Sequence, residues 1–435
     1  MTNNLILVTG ATGYIASRLI PRLLDSGYRV RALARDPHRL NGRAWFRHVE
    51  SFRGDVTLPS TLAPALEGVH TAYYLIHNMS SGRGYTEREL EGARNFAFAA
   101  ERAGIEHIIY LGGLADAEQH IAPHMRARIE TGSTLRQGKT PVTEFRAGVI
   151  IGSGSISFEM IRFMTEFFPL FTPGSSWFHN LSQPIAVQNV VDYLEAALKN
   201  PAGRGRILEI GGPETIKYKD LILRYARLRG LKRIMLLVPH IPVWFMAFGV
   251  HLMTPVRYPI AYALVEGLAH DSIVRDDQTR RFFPEVELLG IDEAIKKALG
   301  YLSPLHIERV WDDGARPVKS LKHEGCFIHH REIKVNASSA EVFQVLLRIT
   351  GNSAWQVEAS EAEARIVVRV KGQTAGDKWF EWRVNGDSKP TSLTQTVFFA
   401  PRGIGGFIRW YLLYPIRIWL FRRMIRRIAR ECASL

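Results

Sequence analysis

Gly10, Thr12 and Gly13 stand in the run Thr9-Gly10-Ala11-Thr12-Gly13-Tyr14-Ile15, and glycines at that spacing can cradle a phosphate. Gly10 permits a tight turn, and Gly13 lets an anion approach the backbone closely. A helix beginning at Tyr14 and Ile15 would aim its free N–H groups and its dipole at that anion. Ala16 occupies the place where a third small residue packs helix on strand. Glycines become informative only when a strand precedes them and a helix follows. Asn4 to Thr9 is a short apolar run suited to a buried parallel strand, and Ile15, Leu19 and Leu23 recur on one helical face. The combination predicts a site for the pyrophosphate of a nicotinamide dinucleotide, with a bare structural turn as the alternative.

The next strand bears on which dinucleotide. Tyr28 to Ala34 predicts a strand ending at Arg35, with Asp36 and Arg39 close behind. A carboxylate at that strand end suits ribose hydroxyls, whereas an arginine suits a 2′-phosphate. Arg35 points to NADP(H), Asp36 leaves NAD(H) open, and a solvated surface arginine is the alternative to both.

The elements that must position these residues alternate. Strand-like runs lead up to Gly54-Asp55-Val56 and cover Val69–Ile76, His107–Leu111 and Val142–Arg146. Helical patterns over Leu58–Leu66, Arg88–Ala103 and Ile129–Arg136 separate them, which argues for an α/β, doubly wound parallel sheet. Ile207–Gly211 is one more strand, and Tyr218–Arg229 a basic helix. Leu236–Met253 is the most apolar stretch, but Pro239, His240, Pro242 and His251 interrupt it. It barely reaches the roughly 20 residues of a bilayer span, so a buried or interfacial segment is expected.

The 435 residues predict two domains: a Rossmann unit over 1–302 with a substrate subdomain from about 153, a linker over 303–322, and a smaller α+β unit over 323–435. The linker carries Pro304, Pro317 and the Trp311-Asp312-Asp313-Gly314 turn. In the smaller unit, Phe327–Val335, Ile366–Lys371, Lys378–Asn385 and Leu393–Phe399 are strand-like. Ser338 caps a helix over Ala340–Ile349, with Glu341 in its first turn. His329 and His330, adjacent on a strand, point to opposite faces and make no metal pair. A net charge of +14 favours anionic partners, such as nucleotide phosphates or membrane lipid. No stretch matches a nucleic-acid module. Cys326 and Cys432 are too few for a disulfide framework or a zinc site. No signal peptide is expected ahead of the first strand, so the expected location is cytoplasmic.

Residues 5 to about 300 resemble the extended or atypical branch of the short-chain dehydrogenase/reductase superfamily, with NmrA-like proteins and the complex I nucleotide-binding subunit as relatives. The carriers are the glycine run, Gly54-Asp55-Val56, and Phe145-Arg146-Ala147-Gly148-Val149-Ile150-Ile151-Gly152. The resemblance implies that Asp55, with Val56 in the same turn, contacts adenine. The C-terminal part resembles a START-like, polyketide-cyclase-like helix-grip domain through Thr394-Gln395, Phe398-Phe399-Ala400-Pro401-Arg402-Gly403 and the long helix that follows. Against that pattern the domain is short, with few residues for strands between Ile349 and Ile366.

Ordinary members use a serine and then Tyr-x-x-x-Lys. Here Leu111-Gly112-Gly113 stands where the serine is expected, and His124-Met125-Arg126-Ala127-Arg128 where the tyrosine–lysine pair is expected. His124 and Arg128, at i and i+4, lie on one helical face and could jointly address a substrate. Histidine can donate a proton near neutral pH, and a neighbouring arginine lowers its pKa. Alternatively His124 is a helix-surface residue and the chemistry is lost. His77 follows Tyr73-Tyr74-Leu75-Ile76 at a strand end lining the cofactor crevice, as a chemical participant or as a packed histidine.

One long helix is expected from about Gly405 to Glu431. Tyr414, Ile418, Phe421, Ile425 and Ile428 share a face that would pack on the small unit's sheet, opposite Arg422, Arg423, Arg426, Arg427 and Arg430. Trp419 falls among the arginines, a pattern that suits an anionic membrane surface as well as a solvated face. The sequence thus predicts an NAD(P)-dependent oxidoreductase acting on a lipophilic, isoprenoid-, quinone- or lipid-like substrate, peripheral on the inner face of the membrane. The alternative is a non-catalytic NADPH-binding structural or sensing protein with a lipid- or partner-binding C-terminal domain.

Overall fold

The computed structural model describes residues 4–433 apart from 42, 78–83, 116–120, 169, 240, 255, 306–320, 324–325, 373 and 387–388. Most of the predicted linker, including Trp311 to Gly314 and Pro317, therefore lies outside the described residues.

The first sheet comprises β1 (Leu5–Thr9), β2 (Arg29–Ala34), β3 (Glu50–Arg53), β4 (Val69–Tyr74), β5 (His107–Gly113), β6 (Val142–Ala147) and β7 (Ile207–Ile210). Its order is β7-β6-β5-β4-β1-β2-β3, and every neighbouring pair is parallel. Strands are added outward on one side through β3 and on the other from β4. The crevice beyond the carboxyl ends of β1 and β4 is thus the switch point at which open α/β sheets bind ligands.

Alternation within β1 builds both cores. Ile6 and Val8 join the core under α1 (Tyr14–Asp25), with Leu19 and Leu23. Leu5 and Leu7 join the core under α2 (Tyr85–Arg102) and α3 (Pro123–Leu135), with Phe96 and Leu135. A strand apolar on both faces is what a sheet covered on both sides requires.

Beyond β6 come α4 (Ile156–Phe167), α5 (Val187–Lys199), α6 (Tyr218–Leu228), β8 (Ile234–Val238), α7 (Val243–Met253) and α8 (Tyr258–Gly267). The lipophilic segment over 236–253 divides between β8 and α7. It is not buried: only Ala247 and Val250 of α7 are, because α7 is apolar all round while its neighbours cover one side. Among the described residues, no helix is long and apolar enough to cross a membrane.

The second sheet is antiparallel. It contains β9 (Leu321–His323), β10 (Cys326–Val335), β11 (Trp355–Glu361), β12 (Arg365–Val370), β13 (Gly376–Asn385) and β14 (Thr391–Pro401), in the order β9-β10-β14-β13-β12-β11. The strand β11 fills the interval that the sequence left short of strands. It escapes a reading by alternation because Gln356, Val357, Ser360 and Glu361 are exposed on an edge strand. The helix α9 (Ser339–Thr350) opens with the expected cap, here a full capping box between Ser338 and Glu341.

The expected single terminal helix is two, α10 (Gly403–Leu412) and α11 (Tyr414–Ala433). Pro415 explains the break, since its ring would clash with the carbonyl of Tyr411 in a continuous helix. Phe421, Ile425 and Ile428 pack on the second sheet with Phe380 and Trp382, whereas Arg422, Arg423, Arg426 and Arg427 are exposed beside Trp419. His329 lies against Phe421 and His330 bonds Thr396, on opposite faces of β10.

The two sheets are joined through α4. Glu166 is fully buried and accepts from Tyr225 Oη at 2.9 Å, Arg229 Nε at 2.7 Å and the Gly403 N–H at 2.5 Å. Beside it, Phe163 meets Phe327 and Phe407 edge to face.

Candidate cofactor and substrate site

The glycine run forms the turn between β1 and α1. Gly10 has φ +64°, and a Cβ there would stand 2.7 Å from the Leu75 carbonyl oxygen, so both conformation and space demand glycine. Thr9 Oγ1 accepts from the Leu75 N–H at 3.1 Å and ties β1 to β4 below the turn. Gly13 is exposed at the N-cap of α1, where no side chain satisfies the first-turn N–H groups. A Cβ on Gly13 would meet only the Gly10 carbonyl, at 3.0 Å. An open, uncapped helix N-terminus flanked by Thr12, Tyr14 and Ile15 fits a pyrophosphate.

At the end of β2, Arg35 is exposed. The Asp36 carboxylate turns away to cap the following turn, accepting from the His38 N–H at 3.2 Å. Sequence reasoning missed Arg43, which is buried, lies 5.3 Å from the Trp45 ring centroid and donates to the Thr12 carbonyl at 3.2 Å. The only sequence signal for it was an arginine among Asn41, Gly42 and Trp45. Asp55 closes its own turn, with Oδ1 accepting from Thr57 N–H and Oγ1 at 3.0 and 2.9 Å. Val56 points into the core, where a Cβ on Gly92 would lie 2.7 Å from its Cγ2.

The other end of the crevice assembles His77, His124 and Arg128. His77 follows β4, with Nε2 donating to the Leu111 carbonyl at 3.0 Å and Nδ1 3.4 Å from the buried Glu89. Burial and the Arg128 charge lower its pKa, against the pull of Glu89. His124 and Arg128 lie one turn apart on α3, whose Arg128 carbonyl accepts from Tyr110 Oη at 2.9 Å. His124 is buried, and its Nδ1 has no hydrogen-bond partner among the described residues. Burial first, and Arg128 second, push its pKa down to about 3, so the imidazole is neutral at neutral pH. A Cβ on Gly113 would lie 2.7 Å from Met125 Cε and 2.9 Å from Arg128 Cδ, so a serine there would need these two side chains of α3 to shift.

These residues line one cavity of about 430 Å³ together with Gly13, Tyr14 and Ile15. Its far walls are largely apolar: Met160 and Met164 of α4, Phe178, Met246 and Val250 of α7, and Leu264 of α8. Nothing in the sequence linked these side chains to the glycine run, because they come from the irregular stretch beyond Gly152. The ion pair Glu159–Arg162, fully buried in α4 at 2.9 Å, was likewise unforeseen.

Residues 2–210 match the model of the NmrA-like family. The chain is also 30% identical, over 233 residues, to (4-alkanoyl-5-oxo-2,5-dihydrofuran-3-yl)methyl phosphate reductase of Streptomyces griseus subsp. griseus, spanning 52% of this chain and 74% of that protein. The chain belongs to the NmrA-like family. A further relative, the photosystem II assembly factor Ycf39 of Cyanophora paradoxa, is 26% identical over 52% of this chain and 68% of its own length. Other curated relatives are spanned over about a third of their length. Triphenylmethane reductase of Citrobacter sp., solved in complex with NADP(H), superposes with a TM-score of 0.54 at 18% identity, covering 67% of this chain and 99% of that one. That likeness is one of fold, and it covers two thirds of this chain.

Proposed function

We propose that this NmrA-like protein is an NADP(H)-dependent reductase of a lipophilic carbonyl or quinone. The observation that carries the reading is that Gly13, Tyr14 and Ile15 share one apolar-walled cavity with His77, His124 and Arg128. Gly10, Thr12, Gly13, Tyr14 and Ile15 would hold the pyrophosphate, Arg35 with Arg43 the 2′-phosphate, and the Asp55-Val56 turn the adenine. The engagement of Asp36 in its own turn supports NADP(H) over NAD(H). The bound cofactor supplies a hydride.

The protein's own contribution is then positioning and charge. A neutral His124 ring N–H would donate a hydrogen bond to the substrate oxygen, and Arg128, one helical turn away, would stabilise negative charge developing there. Solvent water would supply the proton that completes the reduction. His77, held by Leu111 and Glu89, borders the same space. The methionines of α4 and α7 adapt to a flexible apolar substrate. Such a cavity favours turnover over a purely structural or sensing role for the cofactor. The strand order of the second sheet and α11 across its face support a START-like helix grip. Its interior is filled by Phe380, Trp382, Phe421 and Ile425, which supports a scaffold rather than a ligand carrier. The exposed arginines of α11 beside Trp419 support contact with anionic lipid.

NADPH oxidation with a panel of quinones and aldehydes tests the reading. A rate that falls by roughly a hundredfold in His124→Ala, with NADPH affinity retained, is expected. Equal rates in the parent and this variant would remove His124 from the chemistry.

A further inference from the structure

α7 carries large apolar side chains on both its inner and its outer side, with His251 as its one polar residue. Met246 and Val250, one turn apart, line the cavity. Trp244, Phe248 and Leu252, also at turn spacing but on the opposite side, are each more than half exposed, as is Phe245. A helix hydrophobic all round belongs in a core or a membrane. Next to it, Ile234 and Leu236 of β8 are also more than half exposed. Large exposed apolar side chains gathered along one side of a helix mark an interaction surface.

Charge says what kind of surface. From Leu221 to Val265 the chain contains no Asp or Glu and six Lys or Arg. A second such stretch runs from Ser388 to Arg430, with nine Lys or Arg and no acid. It too exposes large apolar side chains, among them Leu412, Ile416 and Trp419. The two stretches meet at the junction of the sheets. Arg402 Nη2 donates to the Arg229 carbonyl at 3.0 Å, and Leu231 Cδ2 lies 3.7 Å from where a Cβ on Gly403 would sit.

We propose that these stretches form one docking face for an anionic lipid bilayer, with the outer side of α7 inserted among the acyl chains. The basic residues meet the lipid phosphates and the Trp and Phe rings sit at headgroup depth. α7 then separates bilayer from cavity by one helix thickness, and the substrate is drawn from the membrane past it. The delivery half rests on the reductase reading; the docking half does not.

The test uses the full chain and extruded phosphatidylcholine vesicles containing phosphatidylglycerol, with co-sedimentation and tryptophan quenching by brominated lipid as readouts. The comparison is a Trp244→Ser, Phe248→Ser, Leu252→Ser variant, whose fold is checked by NADPH affinity. The variant should lose vesicle affinity by roughly a hundredfold and lose most of the quenching. It should reduce a short, water-soluble quinone at the parent's rate but fail with a long-chain quinone embedded in vesicles. Changing Arg422, Arg423, Arg426 and Arg427 to Gln should weaken binding at low salt yet keep the quenching at saturating lipid. Equal co-sedimentation of parent and triple variant, or no quenching in the parent, overturns the docking face. So does a lipid-free parent dimer that the triple variant disperses, since a second copy would then be the occupant. Vesicle binding through Trp244 with oxidation of NADPH by neither quinone retires the reductase reading and leaves the docking face standing.

Discussion

Acidification offers a direct probe of His124. In the folded protein its pKa is pushed down to about 3 by burial and by Arg128, whereas in the unfolded chain a histidine titrates near ~6.5. Between these values only the unfolded chain takes up the proton. The neutral ring's contribution is therefore complete above about pH 6.5 and is lost as the pH falls, levelling off only near the folded pKa. At about 1.4 kcal/mol per pKa unit, His124 alone should cost the fold about 2 kcal/mol between pH 7.5 and pH 5. Urea unfolding of the parent and of His124→Gln at both pH values isolates that difference. The variant should lose about 2 kcal/mol less on acidification. A ring Cε1–H resonance of His124 that titrates between about pH 6 and 7, against the ordinary value of ~6.5, would refute the reasoning. So would a pH dependence of unfolding identical in the two proteins.

Gly13→Asp should abolish NADPH binding measured by calorimetry while leaving the circular dichroism unchanged, because Gly13 is exposed and its carboxylate would face the pyrophosphate. Arg35→Ala should weaken NADPH about ten- to a hundredfold and NADH hardly at all, since a charge-assisted hydrogen bond is worth about 1.5–3 kcal/mol; equal losses would make Arg35 structural. Glu166→Ala should destabilise the protein by about 3 kcal/mol, since it removes the fully buried acceptor shared by Tyr225, Arg229 and Gly403. Limited proteolysis should then cut between the two sheets faster, and an unchanged cleavage pattern would remove Glu166 from the junction.

The cofactor end was legible because it is local. A strand, two glycines and a helix lie within some 20 residues, and the β2 end that chooses the dinucleotide follows directly. His77, His124 and Arg128 were legible singly, as strand-end and helix-face residues, but their shared cavity depends on Met160, Met246 and Leu264 arriving from remote helices. Arg43 was hidden because a buried arginine looks like any surface one in sequence. The edge strand Trp355–Glu361 was hidden because neither of its faces is consistently apolar. Arg162 and Glu159, at i and i+3, resemble a solvated helical pair, and only the packing around α4 buries them.

The aromatic joint between the sheets has a consequence during synthesis. Phe163 is covered in the finished protein by Phe327 and Phe407, the second of which leaves the ribosome about 240 residues later. At roughly 5–20 residues per second, the first sheet, whose last strand ends at Ile210, can be complete for roughly 10–40 s while Phe163 still lacks its final cover. During that interval the nascent chain displays an apolar face that in the mature molecule does not exist. A holding chaperone should therefore engage the growing chain between the two units and let go only when the Trp410 ring closes on Phe327.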